Sequence, residues 1–390
     1  MNSQTCPLLR RWVLGVICIL IYGCSNAIGY GTPLDEEIQR FEEFVDVYHL
    51  ILKESLHEKN PDALIRSAMS GMMKGLDPYS EILTKDEYEM LEAQVLGKYP
   101  GVGINIQKDG KKYVITQIYR NSPAARSGLK MGDIILKIKN ISLDHLSEHE
   151  IKRLIIGKVG SDLNISFVKP DKPEDIKSLV LKLDWIKTSA IDFFEFKPGI
   201  ALFEVHQFQK DTPETLRRQL KQKQYKAVIL DLRNNPGGLL ISAVEVAELF
   251  VSAGKIVETR NRKNQVLAGY VSRRQKNNHQ PLILVLINRF SASAAEIVAG
   301  AIKDRKAGIL VGETSFGKGV IQSIFPVGDR LFVKLTTAKY YTPSGISFNR
   351  IGVSPEYVVK DSARFKKYGI HDKIYQKALD IIEYKKSIND

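Results

Sequence analysis

Apolar positions along the chain repeat with two periods, and the switches between them mark out the expected elements. From 35 to 60, Ile38, Phe41, Val45, Tyr48, Leu52 and Leu56 recur at the spacing of one helix face. A second helix is expected over 62–75, its stripe of Ile65, Met69, Met72 and Met73 turned to a core, and Pro78 stops it. Strand-type runs follow at 113–118 and 131–138, with a helix over 147–156. The charged, proline-containing segment 171–177 reads as a linker. Beyond it, strands are expected over 178–183, 200–205 and 227–232, with a helix over 211–224 carried by Leu216 and Leu220. A helix over 239–250 comes next. The run Leu282–Ile287 is apolar at every position, as befits a strand buried on both faces, and Ile309–Gly312 is a shorter run of the same kind. Strands over 331–337 and 340–342 and a helix over 371–385, with Ile374, Ala378, Ile381 and Ile382 on one face, complete the pattern.

The candidate chemistry sits where these runs break. After Asn288, the small-residue run from Ser293 to Ala299 begins a helix, which puts Ser293 at a strand-to-helix turn beside unpaired backbone N–H groups. A serine hydroxyl is a weak nucleophile at neutral pH and needs a base. None of the seven histidines falls within 281–322, and the nearest, His279, lies in a polar run. Lys318, between Gly317 and Gly319, can take that role if burial lowers its pKa. Lys318, Val320 and Gln322 alternate, so Lys318 and Gln322 should point the same way. Ser291, two residues from Ser293, competes for the nucleophile. Positions 312–318 also match the first seven of a P-loop, but Gly319 stands where Ser or Thr would hold magnesium, and an apolar run follows instead of a helix. Near 231–238, the strand ends in Asn234-Asn235-Pro236-Gly237-Gly238, a glycine turn before a helix that leaves N–H groups suited to a developing oxyanion.

The motif SASAAEIVAGAIKD, followed by VGETSFGKGVIQ, closely resembles the C-terminal processing peptidases (tail-specific proteases), which use a Ser–Lys dyad. The resemblance implies that Ser293 is the nucleophile, Lys318 the general base, and Gln322 the residue that orients the lysine. It further implies that Gly237 or Gly238, with Ala294, supplies the oxyanion N–H groups. Leu76-Asp77-Pro78-Tyr79-Ser80 resembles an element of the same family. Residues 97–170 resemble an inserted PDZ domain, in which Gly101, Val102, Gly103 and Ile104 match the carboxylate-binding loop and Asn121–Leu129 the short helix after a strand. Such a loop offers consecutive N–H groups to a chain terminus while the adjacent strand edge pairs with the tail, and Val102, Ile104 and Ile106 are expected around the groove. Ile346 and Gly352-Val353-Ser354-Pro355-Glu356 depart from the family's pattern at positions outside the dyad. The implied fold is α/β: a crotonase-like protease core of mixed sheet and flanking helices, with a β-rich PDZ domain and a helical N-terminal region.

Composition changes this picture at one end. Hydrophobic content of 44% and charged content of 26% are ordinary for a globular chain of 390 residues. The net charge of +13 is spread along the sequence without an aromatic-interleaved basic motif, so no nucleic-acid partner is expected. Arg10 and Arg11 precede a short apolar run that ends Gly23-Cys24-Ser25, similar to the lipobox of bacterial lipoproteins, in which Cys24 would carry lipid. Ordinary cleavage and an uncleaved anchor remain alternatives, because Tyr22 is bulky for that motif. Cys6, Cys18 and Cys24 all fall in this segment, so the exported body cannot form an internal disulfide.

The resulting expectation is a leader over 1–24, a helical region over 25–96, a PDZ domain over 97–170, a protease core over 171–360 and a C-terminal helical segment over 361–390. It would be an exported, membrane-anchored serine endopeptidase without metal or cofactor, taking protein substrates by their C-termini. An adaptor protein and a homo-oligomer are compatible with it. The alternatives are a catalytically inactive PDZ scaffold, which would bind tails without turnover, and, more remotely, a P-loop nucleotide-binding protein.

Overall fold

The computed structural model describes residues 34–58, 60–109, 112–146, 148–275, 280–360 and 368–389. The chain divides into two compact units, 1–72 and 73–390. Helices Leu34–Glu54 and Pro61–Leu76 begin the described chain, the second crossing the boundary between the units. The methionine stripe expected in a core is not buried: the second helix has no buried residue, and Met72 is 66% exposed. A helix pair has too little surface to enclose two apolar stripes, so part of each stays open.

The second unit is built around a six-stranded sheet in the order Ile191–Lys197, Ile200–Val205, Ala227–Asp231, Leu282–Ile287, Ile309–Gly312, Tyr357–Val358. The first pair is antiparallel and every later pair parallel. The two-residue period of a strand explains why its central members are apolar throughout. Val228, Leu230, Ile283, Val285 and Ile287 pack with helices Thr212–Leu220, Leu240–Phe250 and Ala294–Asp304. Ile229, Leu284 and Leu286, between them in sequence, pack on the opposite face against Ile374, Ala378 and Ile381 of helix Lys373–Asn389.

A second, antiparallel sheet joins Glu81–Thr84, Leu331–Tyr341, Gly254–Arg260 and Val266–Ser272, with Val320–Val327 paired to Leu331–Tyr341. The two strands expected over 331–342 are one. Ile321 pairs with Ala338 and Gln322 with Thr336, so Thr337 is an extra residue that the ladder absorbs as a bulge. Helix Lys85–Val95 lies beside this sheet, with Tyr88 stacked on Phe332 at 4.1 Å between ring centroids. Thr84 and Glu87 cap its start reciprocally.

The remaining sheet runs Ile104–Asp109, Lys112–Ile118, Ile134–Ile138, Asp162–Lys169, Lys172–Lys182, with Ile141–Ser142 beside the third strand. It encloses its own core, which includes Val102, Ile115, Ile138, Leu163 and Ile165. The segment 171–177, expected as a linker, turns into the outer strand Lys172–Lys182 instead, paired in a hairpin with Asp162–Lys169. Its charges and Pro173 belong to an exposed sheet edge, where a missing N–H and solvated side chains are tolerated. A two-stranded ribbon, Lys98–Gly101 with Asp184–Lys187, carries the chain into and out of this domain.

Candidate active site

The strand Leu282–Ile287 ends on Asn288, whose side-chain oxygen accepts from the Asn234 and Phe290 N–H groups at 3.0 and 3.1 Å. The two serines that follow have different surroundings. Ser291 is fully buried; its hydroxyl donates to the Leu232 carbonyl at 2.8 Å and accepts from the Asn288 N–H at 2.9 Å. Ser293 lies at the mouth of helix Ala294–Asp304 with φ 56° and ψ −114°, a conformation that costs a non-glycine residue about 1–3 kcal/mol and persists only where the surroundings enforce it.

What enforces it is Glu296, one turn into the helix and completely buried. One carboxylate oxygen accepts from the Ser315 hydroxyl and the Gly317 N–H, both at 2.6 Å. The other accepts from the Ser293 and Lys318 N–H groups, both at 2.8 Å. A single carboxylate thus clamps the serine turn to the lysine turn. Burial raises the Glu296 pKa, and the four hydrogen bonds oppose that rise. Sequence reasoning assigned Glu296 no role. Its one signal was an acidic residue three positions after a serine at a helix start, which ordinarily signifies a cap.

Lys318 owes its two flanking glycines to close backbone passage. A Cβ on Gly317 would stand 3.0 Å from the Ile351 nitrogen, and one on Gly319 would stand 2.6 Å from the Asn349 nitrogen. Strand Val320–Val327 follows directly, so no helix N-terminus faces the turn and the P-loop alternative fails on geometry. Lys318 is half-buried and its pKa is lowered, chiefly by burial, with Lys334 adding repulsion and Glu81 opposing. The ammonium lies 4.9 Å from the centroid of the Tyr79 ring. Gln322 donates from its side-chain nitrogen to the Thr336 hydroxyl at 3.3 Å. No hydrogen bond among the described residues links the Ser293, Lys318 and Gln322 side chains to one another.

The glycine turn approaches Ser293 from the opposite side. A Cβ on Gly237 would stand 2.8 Å from that of Ser293, so only glycine lets the two turns touch. The Gly237 N–H is already committed, donating to the Asn235 side-chain oxygen at 2.8 Å. The Gly238 and Ala294 N–H groups donate to no partner among the described residues. Behind this turn, Arg233 is buried between Asp231 and Asp372, at 2.7 and 2.8 Å, tying it to helix Lys373–Asn389. Burial alone would lower the Arg233 pKa; the two carboxylates outweigh it and raise it.

Ser293, Lys318, Gln322 and Gly238 line one cleft of about 710 Å³, within the size range of ligand sites. Leu91 and Val95 of helix Lys85–Val95, with Leu240, Ile321 and Ile324, give it an apolar wall. No described histidine lines it; His206 is paired with Asp192 at 2.9 Å in a separate cleft.

Gly101–Ile104 do not line that cleft. The Val102 and Gly103 carbonyls accept from the Ala124 and Tyr119 N–H groups at 2.9 and 3.0 Å, and Gly103 has φ 82°. Strand Ile104–Asp109 is an edge with a single partner, and helix Glu148–Ile155 packs across it. The side-chain expectation needs correction: Val102 and Ile104 are buried in the domain core, and only Ile106 stays partly open. A register irregularity between Asn105 and Ile106 breaks the alternation, so Ile106 does not follow Ile104 fully into the core. Cys24 lies outside the described residues.

Residues 199–359 match peptidase family S41, and residues 114–169 match the PDZ domain. A carboxy-terminal-processing protease of Bartonella bacilliformis is 32% identical over 343 residues, covering 85% of this chain and 78% of that protein. A Staphylococcus aureus protein named "Probable CtpA-like serine protease" is 29% identical over 385 residues, covering 95% of this chain and 76% of its own. Among solved structures, a photosystem II D1 C-terminal processing protease superposes with a TM-score of 0.52 at 27% identity, covering 81% of this chain and 86% of that one. The chain is a PDZ-containing serine-type peptidase and belongs to the carboxy-terminal-processing proteases of peptidase family S41.

Proposed function

We propose that Ser293 is the nucleophile and Lys318 its general base, in an endopeptidase that selects proteins by their C-terminal tails. Neutral Lys318 takes the hydroxyl proton as the Ser293 oxygen bonds to the peptide carbonyl carbon. The Gly238 and Ala294 N–H groups receive the oxyanion. As the tetrahedral species collapses, Lys318 returns the proton to the leaving amine, and an acyl-serine remains. Water then attacks the ester, its proton passes to Lys318, and the released serine recovers it. The observation that carries this reading is the Glu296 carboxylate, which binds the Ser293 and Lys318 amides to one oxygen and so fixes the spacing of the two turns. Gln322 acts on the lysine through its strand: its side chain is bonded to Thr336 and borders the same cleft.

The free edge of strand Ile104–Asp109 and the glycine loop before it favour tail capture by strand addition. A charge-assisted contact to a terminal carboxylate is worth roughly 1.5–3 kcal/mol, about ten- to a hundredfold. Of two matched unstructured substrates, the one with a free C-terminus should be cleaved about ten- to a hundredfold more efficiently than its amidated twin. Equal cleavage of both would show that the tail is not what is read, and tail binding without any cleavage would favour the inactive scaffold.

The substrates are proposed to be exported proteins, met on the outer side of a membrane to which lipidated Cys24 tethers the enzyme. The arginine pair, the short apolar run and the Gly23-Cys24-Ser25 junction motivate this. Cys24→Ala should move the protein from the membrane to the soluble fraction of cells. An undiminished membrane fraction would point to an uncleaved apolar segment instead.

A further inference from the structure

We propose that Tyr79 is a positioning residue for Lys318, its ring forming the floor on which the lysine head rests, and that the Asp77 turn exists to present it. The proposal rests on the reading of Lys318 as general base. The sequence singled out Leu76-Asp77-Pro78-Tyr79-Ser80 only as a helix stop with a family resemblance, and the catalytic steps above leave it unused.

The turn is over-determined by hydrogen bonds. One Asp77 carboxylate oxygen accepts from the Tyr79 and Ser80 N–H groups at 2.7 and 2.9 Å, and the other from the Ser80 hydroxyl at 2.8 Å. That hydroxyl accepts in turn from the Thr336 N–H at 3.1 Å, and the Thr336 side chain accepts from Gln322 at 3.3 Å. A continuous chain of contacts therefore runs from Gln322 through Thr336, Ser80 and Asp77 to Tyr79, whose ring lies 4.9 Å from the Lys318 nitrogen. Pairing of Glu81 with Lys334 at the start of the next strand, with a 2.7 Å ion pair, fixes the register of the whole assembly. The Tyr79 hydroxyl enters no hydrogen bond among the described residues, which leaves the ring face as its contribution.

A lysine stem has four rotatable carbons, and a neutral base is useful only if its nitrogen stays within reach of the serine. An aromatic face attracts the ammonium and confines the head group between turnovers. The charged and titratable groups around Lys318 are Lys334, Glu81, Glu92, Tyr88, Tyr340 and the Glu296 carboxylate on its own N–H; of the described aromatic rings, that of Tyr79 is the one beneath the lysine nitrogen.

The test compares Tyr79→Phe, which keeps the ring, with Tyr79→Leu, which removes it. Competitive acetylation of Lys318 across pH, read by mass spectrometry, reports its titration independently of catalysis; kcat and KM are measured on the same preparations. In Tyr79→Leu the labelling midpoint should fall by about half to one pH unit, because an attraction favouring the ammonium is lost. Its kcat should drop about tenfold or more with KM nearly unchanged, while Tyr79→Phe keeps the midpoint and most of the turnover. An unchanged midpoint in Tyr79→Leu, or equal losses in the two variants, overturns the proposal. A shifted midpoint with unchanged kcat overturns the positioning role while the ring contact stands, whereas substantial turnover by Lys318→Arg, measured alongside, overturns the base reading on which the proposal rests. If Tyr79→Leu fails to fold, Tyr79→Met, closer in volume, is read by the same criteria.

Discussion

Replacing Ser293 by alanine should lower peptide cleavage by about ten-thousand- to million-fold, to the level that binding and oriented amides alone sustain. The fold should survive. Alanine keeps the Cβ, so the positive-φ turn is no more strained than before, and the Glu296 contacts to that turn are made by backbone N–H groups. Tail binding should survive too, since Gly101–Ile104 lie outside the cleft. Ser291→Ala is the instructive contrast. Its hydroxyl bridges the Asn288 N–H and the Leu232 carbonyl in a fully buried position; the carbonyl keeps the Asn235 N–H at 3.2 Å, but removal leaves the Asn288 N–H unpaired and costs about 1–3 kcal/mol of stability. Chemical denaturation and kcat on both variants separate the cases. A stable, inactive Ser291→Ala beside an active Ser293→Ala would reverse the assignment.

The parts of the fold that were legible in the sequence are those where one physical requirement acts alone. Leu282–Ile287 and Ile309–Gly312 had to be apolar at every position because helices cover both faces of a parallel sheet, and both strands appear with the bounds their composition suggested. Elements that answer to their neighbours were misread. The segment 171–177 looks like a linker because an outer sheet edge and a linker have the same polar, proline-tolerant composition. The break near 338 looked like a gap between strands because a bulge interrupts alternation without ending the ladder.

The site divides in the same way. The Gly317-Lys318-Gly319 triplet stood out because glycines mark close backbone approach, and the 349–352 segment is what approaches. Glu296 was invisible because its partners, Ser315, Gly317 and Lys318, come from a different turn some twenty residues along, and a helix-start glutamate has a commoner explanation. Gly237 and Gly238 could not be ranked from sequence, since only the fold shows Asn235 taking the first N–H. Nor could sequence tell that helix Lys85–Val95 would wall the cleft, a contact that depends on Tyr88 stacking over Phe332.

Lys318→Arg should be inactive, losing about a thousandfold or more in kcat, although it preserves the positive charge. A guanidinium stays protonated throughout the working pH range and cannot accept the serine proton. Lysine can, because burial holds its pKa below the ordinary value and Lys334 adds to the depression. The direction fixes the pH dependence. As pH rises through the lowered pKa of the folded enzyme, the neutral fraction of Lys318 grows, and kcat/KM should climb about tenfold per unit on the acid side before levelling off. Stability moves with the same sign. The unfolded chain holds the lysine proton more tightly than the folded one, so the cost of burying the ammonium is full below the folded pKa and disappears as pH approaches the unfolded value. The two rises therefore adjoin at the folded pKa: the rate climbs below it and levels off there, and stability climbs from there toward the unfolded value. The measurement is a pH–rate profile of the wild type with unfolding followed over the same range, repeated for Lys318→Arg. A profile that is flat or falls with pH while the protein stays folded, or substantial turnover by the arginine variant, would remove Lys318 from the role of base.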